Sequence, residues 1–299
     1  MYVVLGASGN TGHVVARELL SGGKKVRVVG REPAHLQPLA GKGAEIFTAD
    51  VTDAGTLEKA FDRAESAYVM IPPNPVSTDP VGYSNRVSDA IAAAVRNSGT
   101  KNVVALSSVG ADKPDRTGPV VGLYNLEQKL NRIQGVNVLH LRAGYFMENT
   151  LPQANAIRQM GSAAGPLRPD LKVPMIATRD IGAAAADALL HPSFHGKQSR
   201  ELLGQRDLDY TEVARIIGQA IGKPELKYVQ APDDQFRAVL VHMGMSEQFA
   251  GLLLEMTAAM NSGYMRPLEP RTSKNTTSTS FETFVAEVFV PAYRQQAAA

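Results

Sequence analysis

The first twelve residues, Met1 to Gly12, constrain the fold of this chain more than any other stretch. Tyr2, Val3, Val4 and Leu5 form a short apolar run, and Gly6, Gly9 and Gly12 follow at a spacing of three. A helical pattern comes next, with Val15 and Leu19 on one face and Ala16 and Leu20 beside them. Strand, glycine turn and helix in that order is the context a dinucleotide-binding turn needs. A pyrophosphate there meets first-turn amides that lack partners inside the helix, at the end where the dipole favours an anion. A side chain at Gly6 or Gly9 would hold the phosphates off, and one at Gly12 would hold the helix off the strand. Ser8, Asn10 and Thr11 lie in the same turn, and Asn10 and Thr11 can add side-chain hydrogen bonds to phosphate oxygens. The spacing is G-x-x-G-x-x-G rather than G-x-G-x-x-G, and glycines at such intervals also occur in ordinary turns. The flanking strand and helix therefore carry the reading.

The rest of the chain continues the alternation. Lys25–Val29, Ala44–Thr48, Ala67–Ile71, Asn102–Leu106 and Val136–Leu141 read as strands, with helical patterns between them. The pattern predicts an α/β fold: a doubly wound parallel sheet of the Rossmann type. Arg31 lies just past the second strand, where such folds meet the adenosine ribose. An acid there would accept from a free 2′-hydroxyl, whereas an arginine would pair with a 2′-phosphate, so Arg31 favours NADP(H) over NAD(H). Glu32 can serve either reading, and a solvated loop arginine is the alternative. Asp50, with Val51 beside it, ends the third strand where a carboxylate can accept from the adenine amino group. Asp53 reads as the cap of the next helix. Pro72 and Pro73 stop the fourth strand and make a stiff loop at the carboxyl edge of the sheet, where ligands bind.

From Arg142 the rhythm changes. Asp180–Leu190 reads as a helix returning to the sheet with Asp180 as its N-cap, and Glu201–Leu203 as a last strand. Residues 210–222 and 246–261 are helical by pattern. A closing helix carries Phe281, Phe284, Val285, Val288 and Phe289 on one face, with Thr279 and Glu282 as its capping box. The expected division is a dinucleotide-binding domain over 1–150, with 174–204 returning to it, and a substrate region over 205–299 with 151–173.

Composition removes several function classes. At 299 residues with 44% hydrophobic and 20% charged residues, a sizeable core is available. Lys plus Arg is 31 against Asp plus Glu 29, a net charge of +2, which gives no footprint for nucleic acid. There is no cysteine, so thiolate nucleophiles, disulfides and Cys-based metal sites are excluded. The histidines form no H-E-x-x-H; His191 and His195 are four apart, but Pro192 intervenes, so no metal site is expected. No apolar run approaches a membrane span and the N-terminus already reads as a strand, so a soluble cytoplasmic protein is expected. Met243, Met245, Met256, Met260 and Met265 gather near Leu252–Leu254, as ordinary core, as an adaptable wall over a flat apolar substrate, or as a partner surface.

With these residues in hand, the chain resembles the NmrA-like branch of the atypical short-chain dehydrogenases/reductases. The matching pieces are GASGNTG (Gly6–Gly12), VVGR (Val28–Arg31), ADVTD (Ala49–Asp53), SSVGA (Ser107–Ala111), LRAGYFMEN (Leu141–Asn149) and TRDIGAAAADAL (Thr178–Leu189). The family contains NAD(P)H-dependent reductases, quinone reductases among them, and non-catalytic proteins that sense the nicotinamide redox state. The resemblance implies a pyrophosphate at Gly9–Gly12, a 2′-phosphate at Arg31, and a nicotinamide near Pro72, Pro73, Ser107 and Tyr145. Main-line members of the superfamily use Tyr-x-x-x-Lys, whose lysine assists the tyrosine and holds the ribose. Here Tyr124 is followed by Gln128 in the lysine's place. Gln128 can still hydrogen-bond a ribose hydroxyl, but it carries no charge. Tyr124 is thus the candidate catalytic residue by position, with a structural tyrosine as the favoured alternative. The implied function is NADPH-dependent reduction of a small apolar acceptor such as a quinone by hydride transfer. A cofactor-sensing regulator is the alternative. The sequence leaves the oligomeric state open.

Overall fold

Alternating apolar runs and amphipathic helices build the expected order in the computed structural model, which describes residues 1–295. Residues 296–299, the end of the expected substrate region, lie outside the described residues. The first part runs β1 (Tyr2–Leu5), α1 (Asn10–Ser21), β2 (Val26–Gly30), α2 (Gln37–Ala40), β3 (Glu45–Thr48), α3 (Ala54–Ala60), β4 (Ser66–Val69), α4 (Pro80–Ser98), β5 (Asn102–Ser108), α5 (Val120–Asn131) and β6 (Asn137–Ala143). The second runs β7 (Tyr145–Phe146), α6 (Gln153–Met160), β8 (Ala163–Gly165), β9 (Val173–Ile176), α7 (Thr178–Leu190), β10 (Lys197–Leu202), β11 (Arg206–Leu208) and α8 (Tyr210–Ala220). β12 (Tyr228–Gln230), α9 (Asp233–His242), α10 (Glu247–Asn261), α11 (Phe281–Phe284) and α12 (Val290–Gln295) complete it.

Seven strands form one parallel sheet in the order β10-β6-β5-β4-β1-β2-β3. The order reverses at β1, which pairs with β2 on one side and β4 on the other. In open α/β sheets that crevice, at the carboxyl ends of the strands, is where ligands bind. One face is covered by α1 and α7 and the other by α3, α4 and α5, each over its own apolar core. A third core lies among β7, β9, α6, α8 and the closing helices. There β9 pairs with β7 and β11 in a separate three-stranded sheet, while α7 and β10 return to the main one. β10 begins at Lys197, before the Glu201 expected, because its first four residues are polar. It is the sheet's edge strand and needs no apolar run to form.

Two helix caps differ from expectation. Asp180 sits inside the first turn of α7 and does not cap it; the cap position is Ala177, which offers no side chain. Glu148 takes that role from thirty residues upstream, accepting from the Thr178 amide at 3.0 Å and its hydroxyl at 2.5 Å. Asp180 instead accepts from the Thr279 amide and hydroxyl at 3.0 and 2.6 Å. Thr279 is therefore engaged, and Ser280 caps the closing helix through the Thr283 amide. Glu282 pairs with Arg206 rather than reaching back to the cap. Asp53 caps α3 as expected. The apolar face of the closing helix is buried at Phe281, Phe284, Val285 and Phe289.

His140 is expected to make the stability of the fold depend on pH. It is buried on β6, with Nε2 2.9 Å from Asn131 Oδ1 and Nδ1 without a hydrogen-bond partner among the described residues. Burial pushes its pKa from 6.5 down to about 4. Between those values the unfolded chain takes up a proton that the folded chain refuses, so stability falls as the pH drops through this window. At 1.36 kcal/mol per unit the gap is worth about 3 kcal/mol. His140→Gln is expected to flatten this part of the stability–pH curve, read by urea unfolding between about pH 7 and pH 4.5. An unchanged slope would show that the folded protein protonates His140 freely.

Candidate active site

The glycine turn closes the carboxyl end of β1. Gly6 has φ +64°, a left-handed conformation that favours glycine, and a Cβ there would also meet Met70 Sδ at 2.7 Å. Its requirement is thus the backbone and Met70, in addition to any ligand. A Cβ at Gly12 would lie 2.3 Å from the Gly6 carbonyl oxygen and 2.9 Å from that of Leu5, so the helix packs directly on the strand. A Cβ at Gly9 would meet only the Gly6 oxygen, at 3.3 Å. Gly9 occupies the N-cap position of α1, where no side chain caps the first-turn amides. Ser8, Gly9 and Asn10 are exposed, whereas Thr11 is buried and its hydroxyl accepts from Tyr68 at 2.8 Å. That oxygen keeps its own proton to donate. The exposed helix start, with space above Gly9, fits a pyrophosphate.

Arg31 is exposed at the end of β2 and makes no hydrogen bond or ion pair among the described residues. Glu32 beside it is exposed as well. Asp50 is exposed, with Oδ1 accepting from the amide and hydroxyl of Thr52 at 2.9 and 2.8 Å, and Val51 is buried. Tyr83 of α4 connects these residues to the interior. Burial raises its phenol, Arg31 lowers it and Asp50 raises it, so Tyr83 lies within electrostatic reach of each of them. Pattern reading missed Tyr83, because on the sequence it is one position of an amphipathic helix.

Tyr83 and Met70 both line a cleft of about 430 Å³ at the carboxyl edge of the sheet. Pro72, Pro73, Ser107 and Tyr145 line it too, so the structure brings these four candidates together. Phe249, Leu252, Met256 and Met260 of α10 line it as well, with Met265 just past that helix. Of the methionine group, Met243 is exposed and is not among the lining residues. Tyr124 and Gln128 are half-buried on α5 and are not among the lining residues, although Gly122 and Leu123 of the same helix are. The Tyr145 hydroxyl accepts from Tyr210 at 3.3 Å, and burial raises its pKa. A predominantly apolar cleft with few polar groups suits a flat apolar ligand. Among the described residues no three acidic or histidine side chains gather to hold a metal, and no helix is long and apolar enough to cross a membrane.

A buried polar cluster lies behind Ser107, the member of it that lines the cleft. Glu127 of α5 receives Arg142 in two hydrogen bonds, Nε to Oε1 at 3.0 Å and a terminal nitrogen to Oε2 at 2.6 Å. The Ser107 hydroxyl donates to Oε1 at 2.5 Å. Nothing in the spacing of Ser107, Glu127 and Arg142 marks them as partners.

The family model described as the NmrA-like family matches residues 2–285. The chain belongs to this family. Among relatives of the NmrA-like chain, the NAD(P)H azoreductase of Xenophilus azovorans is 29% identical over 267 residues, covering 89% of each chain. Among solved structures, the NADPH-dependent quinone oxidoreductase of Escherichia coli, complexed with NADPH, superposes with a TM-score of 0.80 at 24% identity. That match covers 97% of this chain and 100% of the other. Triphenylmethane reductase of Citrobacter sp., complexed with NADP(H), gives a TM-score of 0.76 at 18% identity, covering 99% of this chain and 100% of the other. At these identities the structural likenesses establish the fold.

Proposed function

We propose that this NmrA-like chain is an NADPH-dependent oxidoreductase that reduces a small, flat, apolar acceptor such as a quinone or an azo compound. The observation that carries the reading is continuity. Met70 touches the glycine turn and lines the apolar cleft, while Tyr83 lines the same cleft within electrostatic reach of Arg31 and Asp50. One ligand can therefore span from Arg31 past the helix start into the cleft. Gly6, Ser8, Gly9, Asn10, Thr11 and Gly12 would hold the pyrophosphate and Arg31 the 2′-phosphate. Asp50 and Val51 would face the adenine, and Pro72, Pro73, Ser107 and Tyr145 the nicotinamide end. When bound, NADPH supplies a hydride. The chain's contribution is positioning and water exclusion, supplied by the stiff proline loop together with Leu252, Met256 and Met265. A quinone that accepts a hydride takes its remaining proton from water, so no dedicated acid is required. The names of the relatives and the apolar cleft support a reductase over the cofactor-sensing alternative.

NADPH oxidation by the purified protein with a panel of quinones, azo dyes and free flavin tests this reading. Turnover of at least one flat acceptor is expected, and binding of NADPH without any turnover would favour the sensor. Tyr124→Phe should change turnover by less than about tenfold, well short of the loss of a general acid. Gln128 stands where a lysine would assist Tyr124, and neither residue lines the cleft. A thousandfold loss at unchanged cofactor affinity would return Tyr124 to the mechanism.

A further inference from the structure

Ser107 and Arg142 are register partners on β5 and β6, so their side chains leave the parallel sheet on the same face. α5 covers that face and lowers Glu127 between them. The carboxylate is 3% exposed and the guanidinium 14%, and the pair is joined at 2.6 Å. A paired carboxylate can only accept, and a serine hydroxyl has one proton. Ser107 has committed that proton to Glu127 at 2.5 Å. What remains to a ligand in the cleft is its lone pairs.

We propose that the Glu127–Arg142 pair positions Ser107 as a hydrogen-bond acceptor only, and that the group it receives is the carboxamide N–H of the nicotinamide. This rests on the reading of the cleft as the redox end of a dinucleotide site. Two features of the chemistry select that group. The carbonyl of an oxidised quinone and the N=N linkage of an azo compound bring lone pairs and no N–H or O–H, so the reacting group finds no donor at Ser107 and gains nothing there. The carboxamide is the N–H donor of the nicotinamide ring; the ribose hydroxyls are the other donors at that end, and an analogue that keeps them while losing the amide tells the two apart. Ser107 therefore orients the cofactor and does not polarise the acceptor, in keeping with a reaction whose proton comes from water.

The test compares binding of NADP⁺ with that of its 3-acetylpyridine analogue, in which a methyl group replaces the amide NH₂. Calorimetric titration reads both without turnover. Wild type should bind NADP⁺ about three- to tenfold tighter than the analogue, the range expected for one hydrogen bond. Ser107→Ala should weaken NADP⁺ alone and bring the two within about twofold of each other. In Glu127→Ala the acceptor of the serine proton is gone, so Ser107 can donate as well as accept and the preference should shrink to within about twofold. A purely structural role for Glu127 would weaken both ligands equally and leave their ratio unchanged. Equal binding of both by wild type, or a preference that survives Ser107→Ala, overturns the proposal. If wild type binds neither dinucleotide, the functional reading fails and takes this proposal with it.

Discussion

Gly9→Val is expected to abolish NADPH binding, raising Kd by about a hundredfold or more, while leaving the protein folded. The backbone at Gly9 has φ −93° and ψ 174°, an extended conformation open to any residue. A Cβ there meets only the Gly6 oxygen, at 3.3 Å, so a few tenths of an ångström of adjustment suffices. The new branched side chain then stands over the unpaired amides at the start of α1, in the space a pyrophosphate needs. Replacing glycine at a helix N-cap by an apolar residue costs stability on the order of 1 kcal/mol, a tolerable loss for a domain of this size. Gly12→Val is the contrasting variant. Its Cβ would start 2.3 Å from a backbone oxygen, so α1 would have to leave β1 and the fold itself would suffer. Circular dichroism and a thermal melt, run beside a fluorescence titration with NADPH, separate the two effects. A folded Gly9→Val protein that binds NADPH with wild-type affinity would place the dinucleotide elsewhere.

Arg31→Ala is expected to weaken NADPH binding about ten- to a hundredfold and to leave NADH binding within about twofold of wild type. A guanidinium facing a 2′-phosphate makes charge-assisted hydrogen bonds worth about 1.5–3 kcal/mol, and 1.4 kcal/mol is tenfold. Arg31 is free for this: it is exposed and makes no hydrogen bond or ion pair among the described residues. Because the site is at the surface, part of the NADPH preference should fade as salt is raised. Glu32 adds a second arm to the measurement. Turned toward the ribose it would repel a phosphate and accept from a free 2′-hydroxyl, and wild type would then prefer NADH. Equal losses of both cofactors in Arg31→Ala would show that Arg31 does not read the phosphate.

The parts of this protein legible in its sequence are those set by neighbours along the chain. The β1–α1 turn is written in Gly6, Gly9 and Gly12, whose tight approach is a matter of a few residues. The strands and the parallel sheet follow from β-branched runs alternating with helical periodicity, and Asp53 announces its own helix because its cap partners, Gly55 and Thr56, are two and three residues away. The proline loop and Arg31 were legible as positions at the ends of strands.

What only the tertiary structure decided lies where the partners are distant. Asp180 has the local credentials of a cap, yet Glu148 caps α7 and Asp180 holds Thr279, because a carboxylate goes to whichever unpaired donors the fold brings within reach. Tyr83 joins the Arg31 end to the cleft only once α4 lies over the sheet. Leu252 and Met256 line the cleft only once the start of α10 is docked on the proline loop, where the Ser246 amide donates to the Pro75 carbonyl at 2.8 Å. Glu127 reads along the chain as one charge in an amphipathic helix, but the register of β5 on β6 puts Ser107 beside Arg142 and α5 delivers the carboxylate to both. Backbone preferences and periodicity act over a few residues and are written locally. The pairing of a buried charge is set by whatever the completed fold places within about 3 Å of it, a hydrogen-bond distance no residue spacing encodes.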